Sequence, residues 1–380
     1  MKVGVLRETY PGERRVALVP GVLPSLIKAK LDILIEAGAG LAAGFPDSEY
    51  VEKKATVVSD RQQILREADV LVQVRALGAN LQAGRADLDG LHAGQVVIGF
   101  AEPLIEAAAA KELADRGVAL LAMELIPRIT RAQGMDALSS MASIAGYKAV
   151  LLAAEALPKM FPMMMTAAGT IAPPKVLIVG AGVAGLQAIA TAKRLGAVVQ
   201  AYDVRPAVKE QVQSLGAKFI EMELGTAEGT GGYAKAMDEE FYHRQRELMT
   251  RVVAAVDVVI TTAAVPGRKS PILVTKEMVA GMKPGSIIVD LAAERGGNCE
   301  VTRAGETVQV GEVKVLGPTN LPSTVPFHAS QMYAKNVATL LLHITKDGQL
   351  QLDAADEIIR ETLVSRDGQI VNAKVKEALG

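Results

Sequence analysis

One segment in the middle of the chain constrains the fold more than any other. Residues 175–179 (KVLIV) have the composition of a buried strand, and residues 180–185 (GAGVAG) follow directly and open a helical stretch. In such a strand–turn–helix unit, Gly180 permits the tight turn and Gly182 lets the backbone approach a pyrophosphate. Gly185 lets the helix pack close to the strand. The segment therefore predicts a dinucleotide-binding unit.

The residues around this pattern extend the predicted site. Val183 and Ala184 begin the helix, where unpaired backbone N–H groups face an anion. The next strand-like run, residues 198–202, is followed by Asp203. An acid at about this distance from the glycine pattern is part of the dinucleotide fingerprint, so Asp203 belongs to the predicted site.

Asp203 also indicates which dinucleotide the site prefers. A carboxylate there accepts hydrogen bonds from both hydroxyls of the adenosine ribose and repels a 2′-phosphate. Arg205 lies two residues further on and could favour such a phosphate, but Asp203 stands where discrimination occurs. We therefore predict NAD(H) rather than NADP(H), with Val204 and Arg205 beside the adenosine.

Two later runs add strands to the same predicted sheet. Residues 257–261 (DVVIT) lead into Thr262, Ala263 and Ala264, and residues 286–290 (SIIVD) form the next buried run. The carboxyl ends of parallel strands line the ligand crevice of a doubly wound sheet. The three residues after the first run are therefore predicted cofactor contacts.

Strand-like and helical runs alternate along the whole chain, which predicts an α/β protein with two Rossmann-like, doubly wound parallel-sheet domains joined by long helices. Two long helical stretches, residues 135–157 and 329–345, flank the second series. We therefore predict that residues 138–327, the NAD(H)-binding domain, are inserted within a first domain of residues 1–137 plus 328–380. The second stretch has one predicted apolar face: Met332, Tyr333, Asn336, Val337, Leu340, Leu341 and Ile344.

Composition narrows the class of protein. The net charge of −1 offers no basic surface to a polyanion, so we expect no nucleic acid partner. The single cysteine, Cys299, cannot form an internal disulfide, fits a reducing compartment and is expected to be a small packed residue. The longest apolar tracts, residues 117–123 and 149–154, are far shorter than the ~18 residues of a membrane span. We expect a cytoplasmic protein without direct membrane insertion.

Several segments carry a resemblance to a known family. They are residues 14–17 (RRVA), 175–197 (KVLIVGAGVAGLQAIATAKRLGA), 266–271 (PGRKSP) and 282–292 (MKPGSIIVDLA). Over essentially its full length the sequence resembles the alanine dehydrogenase and transhydrogenase superfamily.

Departures from the pattern separate the two branches of that superfamily. Arg15 matches an arginine of the alanine dehydrogenases. Their catalytic lysine and histidine fall where residues 73–77 read QVRAL and residues 101–103 read AEP, and Glu294 replaces an aspartate. Oxidising an amino acid needs acid–base groups, and Arg75 cannot replace a lysine base because guanidinium stays protonated. Hydride transfer between two nicotinamides moves no proton and needs only alignment and exclusion of water, which favours the transhydrogenase branch.

Residues 128–140 (RITRAQGMDALSS) supply positive evidence for that branch. They resemble the arginine–glutamine–aspartate loop of the NAD(H)-binding transhydrogenase subunit. The resemblance implies that Arg128, Asp136 and Ser139 hold the dihydronicotinamide ring and its carboxamide, and that Gln133 reaches toward NADP(H) on a partner. From the residues alone, the segment is also typical of a helix N-cap before a surface helix, with Asp136 in the first turn.

Other features keep two interpretations each. The glycine-rich residues 223–237 predict a mobile loop with Tyr233 near its tip, either an idle insertion or, as the resemblance implies, a lid over the nucleotide. Tyr147 is either a nicotinamide contact or a packed core tyrosine. The methionines of residues 160–165 suit adaptable packing or a dimer contact. Asn298 is a weaker candidate for a place near the nicotinamide.

The resemblance implies the NAD(H)-binding subunit of a proton-translocating transhydrogenase. Such a subunit is a homodimer that passes hydride directly between its NAD(H) and the NADP(H) of a partner. Membrane-spanning subunits and an NADP(H)-binding domain are then separate partners, and the chain is peripheral at the inner face of the membrane. No metal is expected. An alanine dehydrogenase-like oxidoreductase, recognised by turnover of alanine without a partner, and a non-catalytic NAD-binding module stay open.

Overall fold

A computed structural model describes residues 1–221, 239–264 and 267–380. These residues form two compact units, Met1–Met141 with Pro322–Gly380, and Ala142–Leu321. The second unit is thus an insertion along the chain of the first. The two boundaries predicted from the sequence lie after residues 137 and 327.

The strands are short and most are buried, as expected for sheets covered on both faces. In chain order they are β1 Lys2–Val5, β2 Asp32–Glu36, β3 Thr56–Val58, β4 Val70–Arg75, β5 Val96–Phe100, β6 Ala119–Ala122, β7 Met164–Thr166, β8 Gly169–Ile171, β9 Lys175–Val179, β10 Val198–Tyr202, β11 Lys218–Phe219, β12 Val258–Thr261, β13 Ile287–Asp290, β14 Thr307–Val310, β15 Val313–Leu316, β16 Thr345–Lys346, β17 Gln349–Leu350, β18 Leu363–Arg366 and β19 Gln369–Ile370.

The helices alternate with these strands in each unit. They are α1 Leu23–Lys28, α2 Asp47–Glu52, α3 Arg61–Glu67, α4 Leu81–Gly84, α5 Ala107–Asp115, α6 Ala137–Ala156, α7 Val183–Arg194, α8 Lys209–Ser214, α9 Glu239–Ala254, α10 Lys276–Ala280, α11 Pro326–His343, α12 Glu357–Thr362 and α13 Ala373–Leu379. A short 3₁₀ segment, Thr130–Met135, precedes α6.

The sheet of the first unit has the order β19-β18-β6-β5-β4-β1-β2-β3. Strands β1 to β6 pair in parallel, and β18 adds an antiparallel strand beside β6. The strand order reverses between β1 and β4, which is the topology of a doubly wound sheet.

The sheet of the second unit has the order β11-β10-β9-β12-β13-β15-β14. Strand β9 lies centrally and pairs in parallel with β10 and with β12, so the order reverses between β9 and β12. The antiparallel strand β14 closes one edge. The predicted α/β class with two Rossmann-like parallel sheets is confirmed.

Local patterns set most element boundaries. Strands β9 and β10 have the predicted ranges. The apolar tract that starts at residue 117 becomes a strand only at Ala119, because Gly117 has a left-handed φ of +72° that ends the preceding turn.

One residue of α11 lies on a different face from the predicted one. Tyr333, Val337 and Leu340 are fully buried, but Met332 is 36% exposed. Met332 lies three residues before exposed Lys335, and residues three apart share a helix face. The prediction that Met332 belongs to the buried face is therefore wrong.

Helix α6 is the one helix, among the residues that the structure describes, with the length and hydropathy of a membrane span; its mean hydropathy is 1.4. Within the second unit its residues Ala149, Val150 and Ala153 are fully buried and pack with Val176 and Ala188. This packing accounts for part of its apolar composition.

Candidate functional site

The turn after β9 has no room for side chains at two of its glycines. Gly180 has a φ of +97°, a conformation that favours glycine. A Cβ atom on Gly180 would lie 2.6 Å from Oγ1 of Thr262. A Cβ atom on Gly185 would lie 1.9 Å from the carbonyl oxygen of Gly180. The tight turn and the close helix packing expected at these positions are both present.

Gly182, between them, differs from its neighbours. A Cβ atom built on it meets nothing within 4 Å. Gly182 is the N-cap residue of α7 in an extended conformation, and no side chain caps the helix there. Val183, the first helical residue, is 39% exposed. An open helix N-terminus of this kind suits a phosphate group.

Asp203 is tied to the same turn. Its Oδ2 accepts a hydrogen bond of 2.7 Å from the backbone N–H of Ala181 and one of 2.8 Å from Nη2 of Arg205. Its Oδ1 accepts from the backbone N–H and from Nε of Arg205, both at 2.9 Å. The side chains are 5% and 17% exposed. Both residues are predicted site residues, but their pairing was not predicted from the sequence.

The end of β12 is held by a side-chain amide. Oγ1 of Thr262 donates to the carbonyl oxygen of Gly180 at 3.0 Å, which joins the ends of β9 and β12. Asn298 accepts from the backbone N–H of Ala263 at 3.0 Å and donates to its carbonyl oxygen at 2.8 Å. Asn298 is fully buried, so its amide positions the backbone of Ala263. Ala264 is exposed.

Asp290, which sequence reasoning did not single out, organises this region. Its buried carboxylate accepts from Oγ1 of Thr261 at 2.9 Å, from Oγ1 of Thr302 at 2.7 Å and from the backbone N–H of Asn298 at 2.8 Å. It also accepts from the backbone N–H groups of Ala292 and Cys299. The only sequence signal was an acid at the end of a buried strand, a position also typical of a ligand contact.

The segment before α6 lies in the first unit. Asp136 accepts from the backbone N–H of Ser139 at 2.8 Å and from its hydroxyl at 2.6 Å, so it caps α6. Asp136, expected in the first turn, thus lies before the helix as its N-cap, and this does not exclude a ligand role for the cap residues. Arg128 and Gln133 are exposed, while Ala132 and Met135 are buried and anchor the segment.

Two further contacts fix this segment within the first unit. Arg131 donates to both carboxylate oxygens of Asp356, at 2.9 and 3.2 Å. This pairing lowers the pKa of the Asp356 carboxyl to about 2. Nδ2 of Asn336, on α11, donates to the carbonyl oxygen of Gly134 at 2.9 Å.

A group of charged side chains is buried near the carboxyl ends of β1 and β4. Glu13 pairs with Nη2 of Arg15 at 2.6 Å and with Nε of Arg75 at 3.2 Å. The Arg75 guanidinium lies 4.1 Å from the ring centre of Tyr10. Burial, and next the nearby Glu13 carboxylate, raise the pKa of the Glu8 carboxyl to about 8. Arg75, for which the sequence offered no role, is thus part of a buried ion-pair group.

The remaining candidates divide by exposure. Tyr147 is 41% exposed, so its interpretation as a packed core residue is wrong. Cys299 is fully buried, and burial raises the pKa of its thiol to about 11, which agrees with the packed-residue interpretation. Tyr233 and residues 223–237 lie outside the described residues. Among the residues described, no group of three or more His, Cys, Asp or Glu side chains could hold a metal.

Family models match nearly the whole chain. The model for the alanine dehydrogenase/PNT N-terminal domain matches residues 4–145, and the model for the C-terminal domain of that family matches residues 149–373. The chain belongs to the alanine dehydrogenase/PNT family. Both ranges together cover the glycine turn, Asp203 and the segment before α6.

Within this family, the chain is more similar to transhydrogenase subunits than to alanine dehydrogenases. It is 45% identical, over 98% of both chains, to the first part of NAD(P) transhydrogenase subunit alpha of Rhodospirillum rubrum. It is 43% identical to NAD(P) transhydrogenase subunit alpha of Haemophilus influenzae, over 97% of this chain and 71% of that one. Identity to the alanine dehydrogenase of Bacillus subtilis is 27%, over 100% and 95% of the two chains.

Solved structures give the same ranking. A transhydrogenase from Sinorhizobium meliloti has a TM-score of 0.88 at 44% identity, over 98% of this chain and 100% of that one. An L-alanine dehydrogenase has a TM-score of 0.83 at 26% identity, over 100% and 99% of the two chains. The recognition of the family, its transhydrogenase branch and an oxidoreductase class from the sequence is confirmed.

Proposed function

We propose that this chain binds NAD(H) and exchanges hydride directly with NADP(H) held by a partner subunit, in a complex whose membrane subunits couple the exchange to proton translocation. The observation that carries the proposal is the open position at Gly182, between two glycines that admit no side chain. The backbone is thus shaped for one group to approach at one place, where an uncapped helix begins.

The proposed cofactor contacts surround that position within the second unit. Gly180, Gly182, Val183, Ala184 and Gly185 hold the pyrophosphate. The adenosine lies against Asp203, Val204 and Arg205, and the end of β12 supplies Thr262, Ala263 and Ala264. Tyr233, outside the described residues, keeps its proposed role as a contact from the glycine-rich loop.

The nicotinamide contacts are proposed in the segment before α6. Arg128, Asp136 and Ser139 would hold the dihydronicotinamide and its carboxamide, and Gln133 would reach toward NADP(H). Because the Ser139 hydroxyl donates to Asp136, it offers a carboxamide N–H an acceptor of fixed direction. The exposure of Gln133 suits contact with a partner.

The buried ion-pair group also favours hydride exchange over amino-acid oxidation. Arg15 and Arg75 both donate to Glu13, and neither guanidinium can take up a proton. Neither arginine can therefore serve as the base that amino-acid oxidation needs. Hydride exchange requires none, only alignment and exclusion of water.

The assembly is proposed along the same lines. The chain forms a homodimer and associates with membrane-spanning subunits and an NADP(H)-binding domain, at the cytoplasmic face of the membrane. The two compact units are proposed as a first domain and an inserted NAD(H)-binding domain. The exposed methionine segment between residues 160 and 165 is the proposed dimer contact.

The proposal can be tested by hydride transfer in solution. The purified chain is mixed with NADH, an oxidised NAD analogue, NADP(H) and an isolated NADP(H)-binding transhydrogenase domain. We expect reduction of the analogue only when that domain is present, with deuterium from C4 of labelled NADH retained in the product. Gln133→Asn and Asp136→Asn should each lower the rate at least about tenfold, because alignment contributes much of the rate.

The matched control is Asp89→Asn, whose carboxylate in the same unit is fully exposed and should leave the rate unchanged. Tight NADH binding without transfer would contradict the proposal and favour a non-catalytic module. Turnover of alanine with NAD by the chain alone would favour the dehydrogenase alternative.

A further inference from the structure

The carboxylate that should receive the ribose has its acceptor positions filled. An ionised carboxylate has about four lone-pair positions. Those of Asp203 are used by the backbone N–H of Ala181, the backbone N–H of Arg205, and Nε and Nη2 of Arg205, at 2.7 to 2.9 Å. A ribose diol would bring the total on Asp203 to six, more than the five hydrogen bonds that Asp290 accepts, so bonds to Asp203 must open first.

The guanidinium bonds are the ones that can open. The two backbone donors belong to the turn after β9 and to the chain next to Asp203, and moving them would distort the strand ends. The Arg205 side chain can instead rotate about its own bonds, and it is 17% exposed while Asp203 is 5% exposed. The two bonds that the Arg205 guanidinium donates to Asp203, here called the fork, are charge-assisted. Such a contact is among the stronger hydrogen-bond arrangements.

The same fork changes the charge that a nucleotide meets. A bare carboxylate repels a 2′-phosphate, whereas a carboxylate paired with guanidinium is nearly neutral. Once displaced, the guanidinium lies beside the ribose and can pair with a phosphate there.

We propose that Arg205 is a competitive latch on Asp203. It weakens binding of NAD(H) by occupying the acceptors that the ribose hydroxyls need, and it gives the site a residual affinity for NADP(H). The inference rests on the proposed function only in that the adenosine ribose lies at Asp203.

The test compares the binding of two nucleotides by the purified full-length chain. Fluorescence titrations with NADH and with NADPH give Kd for the unaltered chain and for Arg205→Met. The latch predicts opposite changes: Kd for NADH falls about three- to tenfold, and Kd for NADPH rises about tenfold or more. Loss of a purely structural contact would weaken the binding of both.

Two further variants separate charge from hydrogen bonding. Arg205→Lys keeps the charge but loses the fork, so NADH should bind more tightly while NADPH binding stays near its original value. Lys209→Met removes the same charge from a surface pair with Glu221, 2.6 Å away, and should alter neither Kd more than about twofold. Arg205→Lys also keeps the proposal testable if Arg205→Met does not fold.

The outcomes distinguish the latch from the function on which it rests. Unchanged or weaker NADH binding in both Arg205 variants overturns the latch and leaves the nucleotide site intact. Failure of the unaltered chain to bind either nucleotide overturns the proposed function, and the latch with it.

Discussion

At the residue scale, Glu13 is the buried charge on which two arginines depend. Its carboxylate pairs with Arg15 and Arg75, and the Glu13 and Arg15 side chains are 0% and 4% exposed. Removing one partner of a buried pair leaves the other charge desolvated, which costs far more than the pair itself contributes. Glu13 therefore has a structural role that does not depend on a bound substrate.

We expect Glu13→Gln to lower the free energy of unfolding by about 3–5 kcal/mol, measured by urea denaturation at neutral pH. The matched control is Glu112→Gln, which breaks an exposed pair with Arg85 and should cost less than about 1 kcal/mol. If the free energy of unfolding falls by similar, small amounts in the two variants, Glu13 does not hold this ion-pair group together.

At the element scale, two glycines of the turn between β9 and α7 are expected to have different roles, one in stability and the other in nucleotide binding. Gly185 is in contact with the backbone of Gly180, whereas Gly182 borders open space. A methyl group at the first position must push a carbonyl oxygen aside; at the second it meets no protein atom. The same substitution should therefore have different consequences three residues apart.

We expect Gly185→Ala to lower the free energy of unfolding by about 1–3 kcal/mol, because it overpacks the turn. Gly182→Ala should change it by less than about 1 kcal/mol but should weaken NADH binding at least tenfold, since the methyl occupies the place of the pyrophosphate. Urea denaturation and NADH titration measure the two effects. Normal NADH affinity in Gly182→Ala would move the proposed pyrophosphate away from this turn.

The elements that the sequence predicted well are those set by local patterns. The glycine turn, β9, β10 and the position of Asp203 directly after β10 follow from residues close together in the chain, whose spacing is fixed by turn geometry. An apolar tract likewise starts at Gly117, although the left-handed φ of that glycine delays the strand to Ala119.

The contacts that the sequence did not predict join distant parts of the chain or depend on rotamers. Asp290 gathers donors from residues 261 to 302, and Asn298 reaches back to Ala263. The Asp203–Arg205 fork is local, but only the side-chain rotamer decides whether the guanidinium turns toward the carboxylate. Hydropathy patterns contain no information on such rotamers. Met332 shows that they can also assign a residue at the edge of an apolar helix face to the wrong face.

At the scale of the whole molecule, one hairpin of the second unit is too exposed to be stabilised by its own packing. Strands β7 and β8 form an antiparallel hairpin in which every residue is exposed. An isolated two-stranded hairpin is marginally stable in water. Met163 and Met165 are 62% and 81% exposed on or beside it. A second copy of the chain would bury this apolar surface, which agrees with the proposed homodimer.

We expect Met163→Lys combined with Met165→Lys to convert the proposed dimer to a monomer, because burying two lysines at a self-complementary contact leaves like charges without partners. Sedimentation velocity over a range of concentrations measures the change. Val198→Lys, at a residue 53% exposed in the same unit, is the control and should remain dimeric. If the double variant remains a dimer with unchanged concentration dependence, the contact lies elsewhere. The added lysines would be repeated in both copies and should weaken an isologous interface that contained them. The nucleotide turn and the hairpin are built from separate residues, so the monomer should retain its affinity for NADH. Loss of both dimerisation and NADH binding would indicate misfolding rather than dissociation.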